Sequence, residues 1–238
     1  MNGLLITGTD TGVGKTLVAC AIARALSLRL RVAPFKPVET GCAALHGELR
    51  PDDALRLRAA AASDADLELV CPFRYAEPLA PWLAAERAGR PVSIERLHAC
   101  FARLAEIADL VIVESAGGLL VPLADDYTFA DLAHDLDLPL VLVVRSKLGA
   151  INHTLLTLEC ASARGLDVLG YVLNDVDPGR DLARETNRRV LERFARVPCL
   201  AAVPHLGAGD DAVRAFGEAL ASGIVPPVRS RSESSRST

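Results

Sequence analysis

Residues 4–16 read Leu-Leu-Ile-Thr-Gly-Thr-Asp-Thr-Gly-Val-Gly-Lys-Thr, and they limit the choice of fold more than any other stretch. The apolar run Leu4 to Ile6 reads as a strand, a glycine-rich turn follows, and 17–28 has helical character. Strand, glycine loop, Lys-Thr and helix, in that order, build a cradle for phosphate. Glycines let backbone N–H groups face one anion, and the helix N-terminus adds partial positive charge. Lys15 is placed to reach terminal phosphates and the Thr16 hydroxyl to sit on Mg²⁺, with Gly12, Val13 and Gly14 supplying backbone. Five residues separate Gly8 from Gly14, one more than in the usual loop. A purely structural glycine turn is the alternative; the flanking strand and helix favour a nucleotide.

Strands and helices alternate along the rest of the chain. Strands are expected over 31–35, 110–113, 140–144, 168–173 and 199–203, and helices over 52–62, 93–108, 128–136, 147–164, 180–194 and 210–221. The unbroken apolar runs Leu110 to Val113 and Leu140 to Val144 are of the kind buried on both faces of a parallel sheet. Residues 39–51 read as a loop, with Gly41, Gly47 and Pro51. Residues 71–91, with four prolines and Phe73, Tyr75 and Trp82, read as irregular, lining a pocket or covering a sheet edge. The expected fold is α/β, a P-loop NTPase-like, mainly parallel β-sheet between helices in three layers. One domain is expected over 1–221, and the Ser/Arg-rich tail 222–238 is expected to be disordered.

Composition narrows the partners. A net charge of −4 over 238 residues, with no basic bias, argues against a nucleic-acid partner. No apolar run approaches the ~20 residues of a membrane span. The chain passes from Gly3 straight into a strand, leaving no room for a signal peptide. Its six cysteines are scattered without a CxxC pair, which argues against a disulfide framework or zinc site. The cytoplasm is the expected location. The five histidines show no ligand spacing and are read as structural or solvated.

Ligands of open α/β sheets gather at the carboxyl ends of the strands. Lys36 stands at one such end, as a second ammonium for the phosphates or as a solvated lysine. Glu114 follows four apolar residues, where P-loop enzymes place the acid that serves Mg²⁺; an ordinary turn cap is the alternative. Asp53, at a helix start, is a further metal candidate, so that Thr16, Asp53 and Glu114 would offer Mg²⁺ hard oxygens.

The motifs together resemble the dethiobiotin synthetase family. The matching stretches are Gly8 to Thr16, Phe35-Lys36-Pro37-Val38-Glu39-Thr40-Gly41, Asp53-Ala54-Leu55, Ala76 to Pro81, Glu114 to Gly118, Lys147 to His153 and Asn174-Asp175. They run in matching order from about residue 4 to about 207. The resemblance implies that 7,8-diaminononanoate, CO₂ and MgATP become dethiobiotin, ADP and phosphate, by way of a carbamate and a carbamic-phosphoric anhydride. It implies that Lys15, Lys36 and Thr11 act on the reacting anions. Thr40, Pro81 and the backbone of Gly117 and Gly118 would hold the diamine, and Asn174 would read the adenine edge beside Pro204, His205 and Leu206. It also implies a homodimer, with Gly149, Ala150, Ile151 and Asn152 of the neighbouring subunit meeting the substrate carboxylate.

Ser115 stands where the family carries glycine, and a positive φ there would strain it. Three rivals remain. A partition-type switch ATPase would carry a lysine early in the loop, where this chain has Thr9 and Asp10. A GTPase would carry Asn-Lys-x-Asp, which is absent. A relative acting on another amine would differ within 71–91.

Overall fold

A computed structural model describes residues 2–177, 182–205, 217, 218 and 220. From the N-terminus, β1 (Gly3–Gly8) leads to α1 (Lys15–Ser27) and β2 (Val32–Phe35). Three short strands follow, β3 (Val38–Thr40), β4 (Ala43–Leu45) and β5 (Glu48–Arg50), and then α2 (Asp52–Ala60) and α3 (Leu67–Val70). Next come β6 (Phe73–Tyr75), α4 (Pro81–Arg87), α5 (Ile94–Ile107) and β7 (Leu110–Gly118). A hairpin of β8 (Pro122–Ala124) and β9 (Tyr127–Thr128) precedes α6 (Phe129–Asp135) and β10 (Leu140–Arg145). The chain continues through α7 (Ala150–Ala163), β11 (Val168–Asn174), α8 (Leu182–Phe194) and β12 (Cys199–Val203).

Six strands form one sheet in the order β12-β11-β10-β1-β7-β2, and every neighbouring pair is parallel. The two-residue period of β1 sends its side chains into separate cores. Leu4 and Ile6 pack with Val18 and Ile22 of α1, whereas Leu5 packs with Leu97, Phe101 and Leu104 of α5. Each fully buried leucine or isoleucine contributes about 1.5–3 kcal/mol, so the central strand is firmly anchored on both faces. This is the expected three-layer arrangement, and it places the loop after β1 at the middle of the sheet's carboxyl edge.

Two stretches are more regular than their sequence suggests. Within 39–51 lie part of β3 and the hairpin of β4 with β5, and within 71–91 lie β6 and α4. β3 and β6 pair in parallel, Val38 opposite Phe73 and Thr40 opposite Tyr75. Three-residue strands are too short to display an alternation. The prolines do not forbid α4, because Pro81 is its first residue, where no amide hydrogen is needed. β7 continues through Glu114 to Gly118, with Glu114 opposite Ile6, so Glu114 lies inside a strand rather than at its end. The Ser93 hydroxyl accepts from the Arg96 N–H at 3.1 Å and caps α5. Leu206, most of the helix expected over 210–221 and the tail 222–238 lie outside the described residues.

Candidate active site

The loop between β1 and α1 owes its shape to two residues with left-handed backbone, Gly12 at φ 70° and Gly14 at φ 93°. Gly14 is further constrained, since a Cβ there would stand 2.1 Å from the Asn174 Nδ2. That same nitrogen donates to the Val13 carbonyl at 2.9 Å, so Asn174, at the end of β11, props the loop from behind. No side chain caps α1, and the N–H groups of its first turn remain available to an anion. The Lys15 ammonium folds back onto the Asp10 carbonyl at 3.0 Å. Burial, and after it the neighbouring Lys36 charge, lowers Lys15 to about 8.

Behind Lys15 lies a buried ion pair. The Lys36 Nζ donates to Glu114 Oε1 at 2.6 Å and to the Ser115 carbonyl at 3.4 Å, with Asp53 Oδ2 also at 3.4 Å. Lys36 and Glu114 are 3% and 0% exposed, which excludes the solvated-lysine reading. Burial alone would lower Lys36, but Glu114 and Asp53 outweigh it and hold the ammonium above the ordinary lysine value. The Thr16 hydroxyl donates to the same Glu114 Oε1 at 2.8 Å. Glu114 Oε2 is buried without a hydrogen-bond partner among the described residues, an acceptor left over once Oε1 has served Lys36 and Thr16. Thr16, Asp53 and Glu114, named separately from sequence, therefore meet around Lys36.

Ser115 corrects the expectation of strain. Among the described residues the non-glycine positive φ values belong to His46, Ala62 and Asp137, so Ser115 has ordinary strand backbone. Its hydroxyl donates to the Gly117 carbonyl at 3.0 Å and lies 3.2 Å from the Thr7 Oγ1. The position that requires glycine is Gly117, at φ 82°, where a Cβ would also meet Val121 at 2.8 Å.

These groups open on a cleft of about 660 Å³. It is lined by Thr11, Gly12, Gly14, Lys15 and Thr16 of the loop and α1, by Lys36, Asp53 and Glu114, and by a wall of Thr40, Pro78 to Pro81 and Gly117. The 71–91 segment thus lines a pocket. Gly118 instead borders a second groove of about 470 Å³, which shares Thr11 and Val121 with the first. Gly149, Ala150, Ile151 and Asn152 form the start of α7 and are not among the residues lining their own chain's cleft. Pro204 and His205 follow β12 and are exposed.

Sequence reasoning missed two charged lining residues, Glu39 and Arg56. Glu39 is buried and accepts from the N–H groups of both Asp53 and Ala54 at 3.0 Å; burial pushes its carboxyl up. A signal was present, because Pro51 precedes Asp52-Asp53 and cannot cap the helix they begin. Arg56 left none, since a cation one turn along a polar helix is ordinary.

The AAA domain family matches residues 2–212. An "ATP-dependent dethiobiotin synthetase BioD" of Anaeromyxobacter dehalogenans is 44% identical over 94% of this chain and 99% of its own length. One of the same name from Thermodesulfovibrio yellowstonii is 42% identical, over 86% and 89%. The chain belongs to the dethiobiotin synthetase family. Among solved structures, the septum site-determining protein MinD of Pyrococcus horikoshii, complexed with Mg-ADP, overlays with a TM-score of 0.56. It covers 93% of this chain and 96% of that one at 17% identity, a likeness of fold alone. The MinD cell division ATPase of Pyrococcus furiosus is similar to the same degree, with a TM-score of 0.56 at 18% identity over 94% and 98%. This chain and the two MinD proteins thus share an architecture.

Proposed function

We propose that this chain closes the ureido ring of dethiobiotin from 7,8-diaminononanoate, CO₂ and ATP, releasing ADP and phosphate, in biotin biosynthesis. The observation that carries this reading is one cleft that joins the phosphate loop to Lys36 and to the wall of Thr40 and Pro81. One amine of the diamine takes up CO₂ and loses a proton, giving a carbamate. A carbamate oxygen attacks the γ-phosphorus and ADP departs. The second amine then attacks the carbamoyl carbon, phosphate leaves and the ring closes.

The carbamate and the γ-phosphate are both anionic, so the chain's task at that step is to bring like charges together. Lys36 is fixed before substrate arrives, because Glu114 and the Ser115 carbonyl hold its ammonium in place. Lys15 leaves the Asp10 carbonyl for the phosphates, and the Thr11 hydroxyl joins it at the carbamate. Thr40, Pro81 and the backbone of Gly117 and Gly118 position the diamine. The amide of Asn174, with Pro204, His205 and Leu206, receives the adenine. Glu114, whose Oε2 is unpartnered among the described residues, with the Thr16 hydroxyl on its Oε1 and Asp53 beside Lys36, offers a donor set that suits Mg²⁺, which takes one or two carboxylates and fills its remaining positions with water and phosphate. When bound, that ion would neutralise charge on the transferring phosphoryl group.

A homodimer completes the site. Leu120 and Leu156 are 50% and 61% exposed on the groove beside Thr11, and Leu148, next to the start of α7, is 85% exposed. A partner covering these leucines would bring its own Gly149 to Asn152 to the substrate carboxylate, a favourable place for an anion. The cytoplasm is assigned from the six free thiols, which persist in a reducing compartment.

The test is ADP release with MgATP and bicarbonate, with and without 7,8-diaminononanoate. ADP that depends on the diamine and matches a product of dethiobiotin mass is the expected result. ATP turnover indifferent to the diamine would overturn the assignment.

A further inference from the structure

α2 begins without a cap of its own. Its N-cap position is Pro51, which has no side-chain oxygen to offer. The first-turn N–H groups of Asp53 and Ala54 would then lack acceptors in a largely dry setting. Glu39 supplies both from another element. Its Oε1 accepts from the Asp53 N–H and its Oε2 from the Ala54 N–H, each at 3.0 Å, and the residue is 7% exposed. β3, which carries Glu39, is itself held by pairing with β6, and the next residue, Thr40, lines the cleft.

We propose that Glu39 is a positioning residue that caps α2 from a neighbouring strand and thereby fixes Asp53 relative to Thr16 and Glu114. The proposal rests on the reading of Asp53 as a metal-site carboxylate. Both Glu39 oxygens are committed to backbone, so the residue acts through α2 and not on substrate. One carboxylate joins the strand that carries Thr40 to the helix that carries Asp53. Without it, the first turn of α2 would have only water for its amides, and Asp53 would be free to move away from Lys36.

Pro51 makes the proposal testable, because its extended backbone (φ −86°, ψ 94°) suits a serine N-cap. A serine hydroxyl there would accept from the same N–H groups that Glu39 now serves. The full-length protein with one equivalent of a non-hydrolysable ATP analogue is titrated with Mn²⁺, and free Mn²⁺ is read by electron paramagnetic resonance. D53N and E39A are each expected to weaken Mn²⁺ binding roughly tenfold, the usual scale for partners of a metal ligand. E39A should also lower kcat while leaving the diamine KM within about twofold. Adding P51S to E39A should restore most of both losses, and P51S alone should match the wild type.

If D53N binds Mn²⁺ like the wild type, the metal-site reading of Asp53 falls, and this proposal with it. If D53N weakens binding but E39A does not, or P51S fails to rescue E39A, the capping role is overturned while the reading of Asp53 stands. Should E39A fail to show a cooperative thermal transition, E39Q, of the same shape with one acceptor oxygen, takes its place in the same comparison.

Discussion

Lys36 carries two burdens that a double variant can separate. It neutralises Glu114 in a site where both side chains are nearly inaccessible, and in the proposed reaction it offers a fixed cation to the reacting anions. Lys36→Met removes the first function and leaves a buried carboxylate uncompensated, at a cost of about 3–5 kcal/mol in urea unfolding. It removes the second as well, so kcat should fall about 10²- to 10³-fold. Adding Glu114→Gln should recover much of the stability and none of the turnover. Recovery of turnover in the double variant would show that Lys36 serves only to neutralise Glu114. Lys15 makes a different prediction, one of pH. Its ligand-free value near 8 lies below the ordinary 10.5, and a bound phosphate favours the charged form and raises it. Nucleotide binding above pH 8 must therefore take up a proton, and affinity for metal-free ADP should be flat below pH 7. Above pH 8 it should fall by up to about tenfold per unit. Calorimetry at pH 8.5 in two buffers of different ionisation enthalpy measures the uptake directly, and a value of zero would contradict the assignment.

At the scale of elements, a side-chain tether joins the wall of the cleft to the β8–β9 hairpin, beside the buried packing of Ala84 and Ala85. The Trp82 Nε1 of α4 donates at 2.7 Å to Asp125 Oδ1, in the turn between β8 and β9. α4 carries Pro81 at its first position, so the tether sets how far that wall stands from Lys36. Asp125→Ala removes one hydrogen bond to a charged acceptor, worth about 1.5–3 kcal/mol. It should raise the diamine KM several-fold with kcat unchanged, and the emission of Trp82, the chain's one tryptophan, should move to longer wavelength. An unchanged KM would mean that α4 is held by its packing alone. None of this was legible in the sequence, and the reason is local. The long buried strands announce themselves by unbroken apolar runs, and α5 by its period and its Ser93 cap, because each repeats a signal over several residues. β3 and β6 have three residues each and owe their existence to each other, a pairing 35 positions apart that no window reveals. The phosphate loop, Lys36, Asp53 and Glu114 were legible because each sits in a recognisable motif. Glu39 stands in such a motif too, but its role does not: the uncapped start at Pro51 shows that α2 needs an acceptor, and only the fold shows that Glu39, twelve positions earlier, supplies it.

For the molecule as a whole, the question is what covers the groove beside the phosphate loop. Leu120 and Leu156 line it, Thr11 and Val121 connect it to the cleft, and α7 begins nearby with an uncapped N-terminus that serves nothing in its own chain's cleft. Half-exposed leucines flanking an active cleft are costly to leave in water and rewarding to cover. In the proposed homodimer a second copy seated there would satisfy both ends at once, burying leucine on leucine and delivering the α7 amides to the carboxylate of the diamine. Leu156→Asp places a charge in the middle of that contact without touching the phosphate loop. In sedimentation it should convert the dimer to a monomer, and kcat/KM for the diamine should fall by at least tenfold, the scale of one lost charge-assisted contact. Affinity for ADP should remain that of the wild type, because the phosphate loop, Lys15 and Thr16 all come from one chain. A monomeric variant with full activity toward the diamine would mean that each chain binds its own substrate carboxylate, and the role given to Gly149 to Asn152 would pass to residues of the cleft itself.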